Sequence, residues 1–113
     1  MENSFDPKTE IKQYLEKTKE EFTSDYSLNS LENYAQLLLD LIEKWESREG
    51  KILEKIYFVK HNILNFKSDF SDDIPKNYDN KNRSHREKWT IESRKLNGLK
   101  SEFLKVYEDY YNK

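Results

Sequence analysis

His61 and His85 are the only histidines in the chain and its first candidates for metal ligands. In helical bundles the ligand pattern is Glu-x-x-His, which sets a carboxylate one turn before the imidazole. The residues three positions before the two histidines are Phe58 and Asn82, so neither completes that pattern. Cysteine is absent, which removes thiolate ligands and thiolate nucleophiles together. Gly50 and Gly98 are the only glycines, too few for a Gly-x-Ser-x-Gly elbow or a glycine-rich phosphate loop. Carboxylates do occur in pairs, as Glu20-Glu21 and Asp72-Asp73. Adjacent residues on a helix diverge by about 100°, so such pairs supply solvated charge rather than a shared acid–base site. No catalytic residue, no metal and no cofactor is expected, and the chain reads as a non-enzyme.

The segment KNYDNKNRSHREKW, residues 76–89, has more functional character. It gathers Lys76, Lys81, Arg83, Arg86 and Lys88 with two aromatics, Tyr78 and Trp89. Cations and stackable rings beside a helix N-terminus suit an anionic partner, either an acidic protein surface or a nucleic-acid phosphate. Charge is unevenly spread along the chain. Residues 1–75 carry 10 Lys/Arg against 16 Asp/Glu, whereas residues 76–100 carry 8 against 3. With a net charge of −2 the whole molecule steers a polyanion poorly. An acidic protein is therefore the preferred partner for this segment, and nucleic acid the second reading.

The elements that must hold these residues are helical. Gly and Pro number two each and charged residues make up 37% of the 113, a composition that favours helix over sheet. A first helix is expected over 7–23, with Asp6 as N-cap, Pro7 at the first position and Glu10 near the positive end. Ser27 or Ser30 caps the next. From Leu31 to Phe70, alternate steps of four and three meet apolar residues throughout, broken only by Glu49, and the phase passes through Gly50 unchanged. That continuity predicts one central helix over 28–70, about 64 Å long. The alternative is a turn near Gly50, where the polar stretch ESREGK could close one helix and begin another. Asp72-Asp73-Ile74-Pro75 ends the element, and residues 71–83 form a polar loop. Ser84 and Glu87 fit a capping box for a last helix over 84–111, whose stripe runs Trp89, Glu92, Leu96, Leu99, Phe103, Val106 and Tyr110 straight through Asn97-Gly98.

The expected fold is a single all-α domain over 1–113. It is an antiparallel three-helix bundle built on the long central helix, with a four-helix bundle turning near Gly50 as the alternative. The two flanking helices together would about match the length of the central one, so over much of its length it has one neighbour and apolar residues beside its seam stay uncovered. Leu37, Leu41, Leu53, Tyr57, Phe58 and Leu64 are accordingly expected to form a partner interface. Burying ~500 Å² there is worth on the order of 10 kcal/mol before association costs. The function expected is a small adaptor, inhibitor or regulatory subunit that forms a homodimer or binds another protein. The longest charge-free run in the amphipathic region, residues 33–39, is far short of a membrane span, and MENSFDPKTE lacks a basic-then-apolar leader pattern. A cytoplasmic location with no membrane contact is the matching expectation.

Overall fold

Asp6 begins the first element as its residue type dictates. One carboxylate oxygen accepts from the Thr9 backbone N–H at 3.3 Å and the other from the Thr9 hydroxyl at 2.6 Å. Those bonds hold the Asp6 carboxyl below the ordinary aspartate range. Pro7 follows at the position where its missing N–H costs nothing. The computed structural model describes residues 6–49 and 54–111, and among these there are α-helices and no strand. The helices are α1 (Pro7–Lys17), α2 (Leu28–Glu49), α3 (Glu54–Asp73) and α4 (Arg83–Tyr111).

α1 is shorter than the helix expected over 7–23. Thr18 turns its hydroxyl back to the Tyr14 carbonyl at 2.8 Å, a bond that competes with the helical ladder. The chain then resumes as a single π-helical turn, Glu21–Asp25. Tyr26 halts it in the left-handed region, at φ 46° and ψ 48°. Tyr26 is the one non-glycine residue with positive φ among those described. Ser27 caps α2, its hydroxyl accepting from the Ser30 N–H at 3.3 Å.

α2 and α3 lie side by side and run antiparallel. The Lys60 ammonium sits 3.0 Å from a Glu46 carboxylate oxygen and 3.9 Å from Glu43, and Lys67 reaches Gln36. In one straight helix residues 46 and 60 would stand about 21 Å apart. The described residues of the helix expected over 28–70 form two helices, α2 and α3, that pack on each other. Where the chain reverses, and whether Gly50 is helical or in a turn, lies outside the described residues. The phase that ran unbroken through Gly50 reports that each helix buries one face in a common core, and a hairpin satisfies this as well as a rod does. Leu31, Ala35, Leu38, Ile42 and Trp45 of α2 and Ile56, Val59, Ile63, Phe66 and Phe70 of α3 are all buried.

α4 carries the core stripe in the expected register. Trp89, Glu92, Leu96 and Phe103 are buried, and the helix runs unbroken through Gly98. Its start differs from the expected capping box. Asn82 is the N-cap, its side-chain oxygen accepting from the His85 N–H at 3.2 Å, so Ser84 falls inside the first turn. The helices associate as a bundle in which α2 and α4 each pack on α3 and on each other, and α1 leans on α2. Aromatic rings close the core at two places. Trp45 is ringed by Phe103, Tyr107 and Tyr110, with centroids 5.2–6.3 Å away. Trp89 meets Phe22 at 5.9 Å and Tyr26 at 5.1 Å. The bundle measures 47 × 27 × 19 Å, shorter than a 64 Å rod because the central segment folds back on itself.

Candidate interaction surfaces

Folding back changes which apolar residues remain uncovered. Leu41, expected at a partner interface, is 3% exposed, because α2 has neighbours on several sides. Leu37 is half-buried against the core, and Leu53 lies outside the described residues. The other three expected interface residues sit together on the outer face of α3. Tyr57 is 53% exposed, Phe58 58% and Leu64 46%. The 3–4 spacing of an α-helix explains the grouping, since Ile56, Val59 and Ile63 point inward and their neighbours must point out. The Tyr57 ring meets Phe58 edge-on at 5.9 Å and stacks on the imidazole of His61 at 6.1 Å. His61 therefore belongs to this stripe. The sequence reading weighed it only as a metal ligand, although its position four residues after Tyr57 is the signal for a shared face.

The basic segment is divided by the fold. Lys76, Lys81 and Lys88 are exposed, and none of them lines the cleft that Arg83 and Arg86 share with Tyr26. Arg94, which the sequence reading left out, completes that cleft eleven residues after Arg83, on the same side of α4. The two aromatics of the segment are used structurally. Trp89 is 4% exposed and donates its indole N–H to the Ser27 carbonyl at 2.9 Å. The Tyr78 hydroxyl donates to the Tyr26 carbonyl at 2.8 Å, and partial burial raises the pKa of that phenol. Asn80 donates to the Asp25 carbonyl at 2.9 Å. His85 is likewise engaged, its Nδ1 accepting from the Asp79 N–H at 2.9 Å while its ring stacks on Tyr78. The polar loop thus serves as a clasp over the turn, with Tyr78 and Asn80 supplying donors to the Tyr26 and Asp25 carbonyls.

A third surface is a groove of about 560 Å³ between α3 and α4, with Phe66, Gly98 and Leu99 among its lining. Asp69, Glu92 and Glu102 line it too, and buried Glu92 is neutralised by Lys95 at 3.0 Å. That pairing accounts for a carboxylate on the core stripe. No group of three or more metal-ligating side chains is found among the described residues, and no described helix is long and apolar enough to cross a membrane. Comparison with protein-family models, curated proteins and solved structures finds no match, so what the chain does must be argued from these surfaces.

Proposed function

We propose that the chain is a non-enzymatic protein–protein interaction module, a small adaptor, inhibitor or regulatory subunit, that self-associates or docks a partner through its helical faces. The observation that carries this reading is the stripe of Tyr57, Phe58 and Leu64, half exposed on a helix whose other face is committed to the core. Covering the exposed half of each such side chain is worth roughly 1 kcal/mol. Association costs at least about 4 kcal/mol, so the covering partner must also engage the residues around the stripe. A cytoplasmic setting goes with the proposal. A nucleic-acid role for residues 76–88 has less support, because Trp89 and the Tyr78 hydroxyl are turned to the protein's own backbone.

The test is a pair of surface changes, Tyr57→Ser with Phe58→Ser. Both side chains are exposed, so melting should move by no more than about 0.5 kcal/mol per site. Sedimentation equilibrium at tens of micromolar should show a dimer for the native chain and a monomer for the variant, or else capture of a cellular partner should be lost. A native chain that stays monomeric and whose captured proteins are the same with and without the two changes would sink the proposal.

A further inference from the structure

The cleft between the Tyr26 turn and the first half of α4 has an unbalanced charge. Arg83, Arg86 and Arg94 line a space of about 510 Å³ together with Thr90 and the 48% exposed Ile91. Glu87 is the one carboxylate among the lining residues, and it lies 3.6 Å from Arg83 in a well-exposed pair. Arg86 and Arg94 have no ion-pair partner among the described residues, and the Arg86 guanidinium sits 5.5 Å over the Tyr26 ring. From Arg83 to Arg94 the donors span about 16 Å along α4, the reach of three turns of helix or of about five extended residues. One wall is preset, because Tyr26 is pinned through its carbonyl by Tyr78 and through its ring edge by Trp89.

We propose that this cleft is a binding site for an acidic segment of a partner protein, one that presents carboxylates on successive turns around an apolar side chain. Guanidinium forks match carboxylates in paired hydrogen bonds, and Ile91 supplies an apolar contact between them. A nucleic acid fits less well, because the Trp89 ring is buried and the Tyr26 ring is covered by Arg86, so neither ring beside the cleft is open for a base to stack on. Beyond Tyr26 the adjoining surface carries Asp25 and Asp79, which would repel a phosphate track continuing past the cleft. The site is separate from the α3 stripe and stands without it.

The experiment is a backbone-amide NMR titration of the whole chain with three probes: a short helical peptide with Glu on successive turns around a Leu, its Gln counterpart, and a single-stranded oligothymidylate of matched charge. The Glu peptide should shift amides at Tyr26 and across 83–94, and the Gln peptide should bind at least about tenfold more weakly. Arg94→Glu with Ile91→Asp should remove the shifts while melting stays unchanged; if that pair unfolds the chain, Arg94→Gln with Ile91→Ser replaces it. Absence of shifts with the Glu peptide, shifts centred elsewhere, or binding retained in the folded double variant would each overturn the site. Tighter binding of the oligothymidylate at equal salt would overturn the choice of an acidic protein.

Discussion

Tyr34 is the residue whose chemistry is least at ease with its surroundings. Its ring is fully used, stacked on Tyr14 at 5.9 Å and met edge-on by Phe22 at 5.7 Å. Its hydroxyl is buried and has no hydrogen-bond partner among the described residues. A buried polar group without a partner costs about 1–3 kcal/mol, so Tyr34→Phe should be neutral or raise stability by up to that amount. Burial also raises the pKa of this phenol well above its ordinary value of 10.0. Below that value the group is neutral in folded and unfolded chains alike. Above it only the unfolded chain gains by ionising, so stability is lost as pH rises through 10 towards the folded value. Denaturant melts of Tyr34→Phe should therefore lose less stability than the native chain between about pH 9 and about pH 11. Tyr14 and Tyr78, also shifted upward by burial, keep part of the effect. A variant weaker than the native chain by more than about 1 kcal/mol at neutral pH would mean that the hydroxyl has found a partner.

Between residues and fold stand the helix ends. Asp6 was legible as a cap, and Ser27 as one of two candidates beside Ser30, because the side-chain preference at such positions is strong and local. The start of α4 was not. Ser84 and Glu87 fit a capping pattern, but Asn82 lies two residues earlier with the same kind of side-chain oxygen, and loop residues 78–80 docking on the 25–27 turn set where the helix begins. Asn82→Ala should cost about 1 kcal/mol in thermal melts, and Ser84→Ala less than half of that. A reversed order would restore Ser84 as the cap. The apolar stripes of α2, α3 and α4 were legible residue by residue, since 3–4 periodicity reports which face is buried. It does not report which neighbour does the burying. For that reason Tyr57, Phe58 and Leu64 were recognised as open, whereas Leu41 was assigned to the same surface and belongs to the core. Arg94 escaped notice because its relation to Arg83 depends on the Tyr26 turn lying beside α4, a contact between residues far apart in the chain.

At the scale of the whole molecule, folding the central segment in two sets shape and surface together. Spin labels at Asp40 and Leu64 should report a short separation in pulsed-resonance distance measurements, where one straight helix would put them about 36 Å apart. A long distance would return the chain to a rod with far more uncovered apolar surface. The clasp over residues 25–27 has a bearing on how the molecule is made. Its three closing groups, on Tyr78, Asn80 and Trp89, lie 52 to 62 residues downstream of the carbonyls they satisfy. Translation at about 5–20 residues per second puts roughly 3–12 s between synthesis of the turn and arrival of the Trp89 indole. Throughout that interval Phe22 and Tyr26 lack the Trp89 ring that they pack against in the finished fold. The 25–27 turn is thus completed only by residues made 52 to 62 positions after it, and until then its aromatic side chains stay partly uncovered.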